Sequence, residues 1–200
     1  MVKVFFWRKI HSLSGIIPLG VFIMVHMFIN SMAVLGSDNF NGGVALLHSL
    51  PYLWFWELVL IFLPIVYHAG YGLWLVWQTN NNIRSYPYFR NGLFYWQRVS
   101  AIITLLFVTW HVAVLRFSEG IISSISFELV MKALNQPILL ALYVIGLLAT
   151  FSHFANGLWS FLVSWGITVG EQAQRTAGYC CFGVFIILTA VGLNALLAFV

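Results

Sequence analysis

Of the 200 residues, 62% are hydrophobic and only 7% are charged, against roughly 25% charged in a typical soluble domain. So few charges cannot cover a water-facing surface, which excludes a soluble enzyme, and the apolar content excludes a disordered chain. The net charge of +4 is read as membrane topology rather than nucleic-acid binding, because Lys and Arg in an apolar chain follow the positive-inside rule.

A helix needs roughly 20 apolar residues to cross a bilayer core of about 30 Å. Five stretches qualify: 12–34, 52–78, 96–117, 138–165 and 176–200. They predict an all-α integral membrane protein with five transmembrane helices, the first four forming a bundle. Ahead of the first stretch lie basic residues, and Ser31-Met32-Ala33 has the small-x-small form of a cleavage site. Its apolar run is nevertheless too long for a signal peptide, and a histidine interrupts it, so it is expected to be a retained helix. Turn chemistry separates the spans at Gly36-Ser37-Asp38-Asn39, at Asn80-Asn81-Asn82 and at Asn135-Gln136-Pro137. Residues 42–50 and 124–134 are expected to form short interfacial helices. With no repeat and no long linker, 1–200 reads as a single membrane domain. Cys180 and Cys181 point about 100° apart on a helix, cannot bridge to one another, and read as two small buried hydrophobes.

Five spans put the two termini on opposite sides. With the N-terminus inside, the inner side carries Lys3, Arg8, Lys9, Arg84, Arg90, Arg98 and Arg175, and the outer side only Arg116 and Lys132. The acids run the other way, with Asp38, Glu57, Glu119 and Glu128 outside and Glu171 inside. The N-terminus is therefore expected to be cytoplasmic.

Four histidines, His26, His68, His111 and His153, sit deep in the first four spans at intervals of 42, 43 and 42 residues. Ionisable groups inside a membrane are costly and mark function. A lone histidine would be accounted for by an interhelical hydrogen bond; one on each of four consecutive helices would not. The chain direction alternates, so His26 and His111 fall toward the outer face and His68 and His153 toward the inner, in layers about 10 Å apart. Two facing imidazoles suffice for one haem iron but not for zinc, which takes three or four protein ligands. The absence of a C-x-x-C-H motif means the haem would be noncovalent. Gly15, Gly70, Gly72, Gly146 and Gly157 lie near these histidines. They suit either a porphyrin against the backbone or plain helix packing. Candidates to pair with haem propionates are Arg8, His11, Ser12, Arg98 and Arg175 on the inner side and Arg116 on the outer; each charged one also reads as a snorkelling topology charge. Glu57 is the one acid well inside a span. It stands eleven residues before His68, three turns away on the same face of a regular helix, where a carboxyl can exchange protons with a quinone. Its alternative is a structural hydrogen bond. His48, at the outer surface, is a weaker candidate for the same task.

The segments RKIHSLSGIIPLGVF (8–22), LPIVYHAGYG (63–72), RNGLFYWQRVSAIITLLFVTWH (90–111) and FSHFANGLWSFLVSWGITV (151–169) resemble a known family over nearly the whole length. It is the dihaem cytochrome b membrane anchor of succinate:menaquinone oxidoreductases and quinol:fumarate reductases, of the single-subunit five-helix type, similar in particular to the anchors of Gram-positive bacteria. The resemblance implies four axial ligands, falling on His26 and His111 for an outer haem b and on His68 and His153 for an inner one. It implies menaquinone as substrate, and a flavoprotein with covalent FAD and an iron–sulfur subunit docked on the cytoplasmic side of the bacterial membrane. The family has no uniform proton or quinone residue to transfer, so Glu57 rests on its position alone. Two other readings stand beside it: a haem b subunit of another quinone-linked dehydrogenase, such as a hydrogenase or formate dehydrogenase, and a haem-free transporter whose histidines relay protons. The residues do not choose between succinate oxidation and fumarate reduction.

Overall fold

The computed structural model describes residues 2–80, 82–116 and 125–200. Among them the chain is helical, without a strand, and five helical stretches are long and apolar enough to cross a membrane: Val4–Leu35, Leu53–Gln78, Phe89–Leu115, Pro137–Ser164 and Glu171–Leu197.

The first span joins α1 (Val2–Ile16) to α2 (Pro18–Ser31). Pro18 has no N–H to give the carbonyl of Ser14, but Ile17 N still donates to Leu13 O (2.9 Å) and Val21 N to Ile17 O (3.2 Å), so the helix bends without ending. A 3₁₀ turn, Met32–Leu35, closes the span at Gly36, whose φ of 107° suits a residue without a Cβ. Interfacial α3 (Ser37–His48) therefore begins five residues earlier than expected, with Asp38 favourably placed in its first turn.

The second span is composite. It runs α4 (Leu53–Glu57), a π-helical turn (Leu58–Phe62) and α5 (Leu63–Gln78). The third span is α6 (Phe89–Arg116), which starts seven residues before the expected boundary. Buried Asn91 explains the extension: its Nδ2 donates to Asn82 Oδ1 (3.0 Å) and Tyr86 O (2.8 Å), pinning the preceding loop onto the helix start. The second interfacial helix, α7 (Phe127–Leu134), is capped by Ser126, whose Oγ accepts from Leu129 N. The remaining spans are α8 (Pro137–Ser164) and α9 (Glu171–Leu197). Gly166 and Gly170, both with positive φ, turn the chain between them.

α8 is the centre of the packing. It lies along α6 on one side and α9 on another and also meets α1, while α5 rests mainly on α1 and α9 also reaches α2. Aromatic rings pressed onto glycines allow the close approaches: Phe151, 1% exposed, covers Gly192 of α9, and Phe154 covers Gly20 of α2. At the end of the bundle away from the N-terminus, Phe40, Leu134, Tyr143 and Phe199 gather α3, α7, α8 and the C-terminal residues into one cluster. The cysteines do not share an environment. Cys181 is buried, whereas Cys180 is exposed on the protein surface, as their 100° divergence on one helix requires.

A Cβ added at Gly192 would lie 2.7 Å from the Phe151 ring, whereas nothing lies within 4 Å of one at Gly183. Gly192→Val is expected to cost about 1–3 kcal/mol through overpacking, and to lower the thermal midpoint in detergent. Gly183→Val on the same helix should leave the midpoint within error.

Candidate functional site

The four intramembrane histidines meet in two pairs. The His26 and His111 ring centres are 5.9 Å apart at 84°, and those of His68 and His153 are 6.3 Å apart at 86°. α8 gives the separation of the layers. Tyr143 touches His111, and His153 lies ten residues further along the same helix, about 15 Å at 1.5 Å per residue.

In the His68–His153 pair, backbone carbonyls orient both rings. His68 Nδ1 is 2.9 Å from the carbonyl oxygen of His11, and His153 Nδ1 is 3.1 Å from that of Gln97. A carbonyl only accepts, so Nδ1 carries the proton in each ring and Nε2 keeps a free lone pair. Ser14 Oγ (3.3 Å from His68 Nδ1) and Ser100 Oγ (3.4 Å from His153 Nδ1) flank these contacts. Ser100 is fully buried. Gly15 belongs to the same device, because a Cβ there would lie 2.5 Å from the His68 ring.

A polar clamp between α6 and α8 holds His153 in place. Gln97 Nε2 donates to His153 O (3.1 Å), and Asn156 Nδ2 donates both to Gln97 Oε1 (2.6 Å) and to Leu93 O (3.0 Å). One turn away, Trp96 Nε1 donates to Ser152 Oγ (3.1 Å). In the His26–His111 pair, His111 Nδ1 is 3.1 Å from the hydroxyl of buried Tyr143, and Phe107 packs against the same imidazole at 5.7 Å.

A metal–imidazole bond of about 2 Å, plus about 1 Å from nitrogen to ring centre, puts two ring centres on opposite sides of one metal roughly 6 Å apart. Both pairs have that spacing. Among the described residues no three His, Cys, Asp or Glu side chains form a metal-binding group. The donor sets are thus pairs of neutral imidazoles, which suit an iron whose other positions a macrocycle fills.

The other candidates divide. His11 is stacked on His68, 4.2 Å between centres and nearly parallel at 7°. Ser12 is engaged, giving its proton to Lys9 O and accepting from Trp165 Nε1, both at 3.0 Å. Arg8 is exposed, and the Arg98 guanidinium lies over Phe94 at 3.9 Å. Arg175 pairs with Glu171 at 2.9 Å on the exposed face of α9. The side chain of Arg116 lies outside what the structure describes, as does Glu119. His48 lines an outer cavity of about 520 Å³ with Asn41, Ser49 and Ser126. Of the glycines near the histidines, Gly146 lies under the Phe107 ring and Gly70 faces open space.

Glu57 departs from its expected orientation. Pro64 offers no N–H to Leu60, and the turn before it widens so that Leu63 N reaches Leu58 O. This π turn inserts the equivalent of one residue and rotates Glu57 by about 100° relative to His68. The three-turn alignment expected from a regular helix does not hold. Glu57 is nonetheless the one half-buried residue in 54–60, where its neighbours are exposed.

Sequence reasoning missed the groups that orient the rings. Gln97 and Ser100 stand 14 and 11 residues before His111, on its helix face, and that periodicity is a signal that would have found them. Tyr143, on another helix, leaves no such trace.

Residues 87–192 match the family model described as succinate dehydrogenase/fumarate reductase transmembrane subunit. The chain belongs to that family. It is also 43% identical over 196 residues to the succinate dehydrogenase cytochrome b558 subunit of Bacillus subtilis (strain 168), covering 98% of this chain and 97% of that one. As a succinate dehydrogenase/fumarate reductase transmembrane subunit, the chain is a multi-pass membrane protein and a non-flavin part of an oxidoreductase complex.

The clamp gives a direct test. Asn156→Leu removes two hydrogen bonds between α6 and α8 that water cannot replace inside a bilayer. The expected cost is about 1–2 kcal/mol, read as a lower thermal midpoint in detergent, with Asn156→Gln recovering part of the loss.

Proposed function

We propose that the chain is the electron-transfer anchor of a succinate:menaquinone oxidoreductase, holding two noncovalent b haems. His68 and His153 ligate the inner one, and His26 and His111 the outer one. The observation that carries this reading is the pair of imidazole–imidazole spacings, 5.9 and 6.3 Å, on opposite halves of one bundle. The name of the Bacillus subtilis relative, a cytochrome b, supports haem as the group. A bound haem supplies reversible one-electron storage. The chain's own residues hold the His68 and His153 imidazoles in the tautomer that leaves Nε2 free and keep the two sites at different depths.

The N-terminus is cytoplasmic in this reading, in a bacterial cytoplasmic membrane. The basic ends of α1, α6 and α9 then face a flavoprotein with FAD and an iron–sulfur subunit, where Arg8, Arg98 and Arg175 stand. Some of these charges also hold the helices together. Lys9 donates to the carbonyl of Ser164 and lies over the Trp165 ring. The Arg90 guanidinium lies 3.5 Å over Trp159, whose Nε1 donates to Gln174 O (3.0 Å). The menaquinone reaction belongs at the outer face, with Glu57 handling protons, since that carboxylate turns toward protein within an exposed stretch of span two. The same parts serve fumarate reduction in reverse.

Each histidine tests the pairing. His26→Ala and His111→Ala should abolish one component of the reduced-minus-oxidised b-type spectrum, and His68→Ala and His153→Ala the other. If His26→Ala and His68→Ala lost the same component, the pairing would be wrong, and a colourless wild-type protein would remove the haem reading altogether.

Glu57 has its own test. Glu57→Gln keeps shape and hydrogen bonding but not proton exchange. It should leave both spectral components reducible by succinate while slowing quinone reduction at least tenfold, about 1.4 kcal/mol of barrier. Wild-type turnover in that variant would return Glu57 to a structural role.

A further inference from the structure

The two histidine pairs are held by different kinds of acceptor. In the inner pair both Nδ1 atoms face main-chain carbonyls, those of His11 and Gln97, which no substitution removes. In the outer pair His111 Nδ1 faces a side chain, the Tyr143 hydroxyl, at 3.1 Å. A hydroxyl can donate or accept. Were it to donate to Nδ1, the ring's proton would sit on Nε2 and the imidazole would be no ligand. Ligation through Nε2 therefore requires the hydroxyl to accept the Nδ1 proton.

The surroundings hold that hydroxyl in place. Tyr143 is 6% exposed on α8 and meets His111 edge-on, with ring centres 5.6 Å apart at 82°. Phe107 and Trp110 pack against the tyrosine ring at 5.5 and 5.3 Å. Gly146 permits this arrangement, because a Cβ there would lie 2.2 Å from the Phe107 ring. The phenol thus sits in an aromatic box that leaves its oxygen beside the imidazole.

We propose that Tyr143 is a positioning residue of the outer site, its hydroxyl accepting the Nδ1–H of His111 and so fixing both the tautomer and the donor strength of that ligand. The inference rests on the reading of His26 and His111 as a haem-ligand pair. A hydrogen bond accepted from the far nitrogen raises the basicity of the ligating one. Removing it makes His111 a weaker donor, which disfavours the oxidised iron more than the reduced.

The experiment is a redox titration of the purified membrane protein, read at the two b-type components, with the low-spin electron paramagnetic resonance signals recorded on the same samples. In Tyr143→Phe the component that is lost in His111→Ala should shift to higher midpoint potential with a changed resonance signal, while the other component stays put. Incorporating 3-fluorotyrosine at position 143, a weaker acceptor of nearly the same shape, should shift the same component in the same direction by less. If Tyr143→Phe fails to load the outer site, the fluorotyrosine protein decides: a shift supports the assignment, and a wild-type potential overturns it. Unchanged potentials and signals in Tyr143→Phe overturn it directly, as does a shift confined to the inner component. A wild-type protein without two b-type components would instead remove the underlying reading, an outcome distinct from all of these.

Discussion

An imidazole held inside hydrocarbon must have its N–H satisfied by the protein, because no water is there to do it. Much of this bundle follows from that requirement. The carbonyls of His11 and Gln97 belong to helices, yet a carbonyl oxygen has two lone pairs and can serve the helix ladder and a neighbouring ring at once. For that to happen, the rings of α5 and α8 must come within hydrogen-bond distance of the backbones of α1 and α6. Gly15 makes the first approach possible by presenting no side chain to the His68 ring. The Gln97–Asn156 clamp fixes the second. The packing of these helices and the orientation of the rings are thus one problem with one solution.

Much of this was legible in the sequence, for a physical reason. Hydropathy marks spans because the bilayer sets their length. Chain direction reverses at each crossing, so four histidines at nearly equal intervals must fall alternately at two depths. Neither inference needs side-chain detail. What stayed hidden depends on contacts between helices. Tyr143 and His111 are 32 residues apart, and no periodicity within one helix joins them. The pairing of Arg175 with Glu171, by contrast, is legible as an i,i+4 spacing on one exposed helix face.

The end of the bundle that carries the N-terminus shows how basic residues acquire a second role. Basic residues gather there, and the aromatic side chains at the same level offer them π faces. Arg90 over Trp159 and Lys9 over Trp165 connect the starts of α6 and α1 with the end of α8, and the Trp159–Gln174 bond extends the connection to α9. A cation–π contact needs no acid partner, which suits a chain with five acidic residues in all. That end can therefore remain positive while its helices are tied together.

The second span is the place where local geometry overrides pattern. A regular helix would align Glu57 with His68, and the count of eleven residues invites that conclusion. Pro64 prevents it. Its ring would press on the carbonyl of Leu60, and its missing N–H would leave that oxygen unpaired; the widened turn over Leu58–Phe62 accommodates both. The consequence is a carboxyl turned about one residue's rotation away from the imidazole face, half-buried among exposed neighbours. A carboxyl so placed is separated from the His68 ring by direction as well as depth.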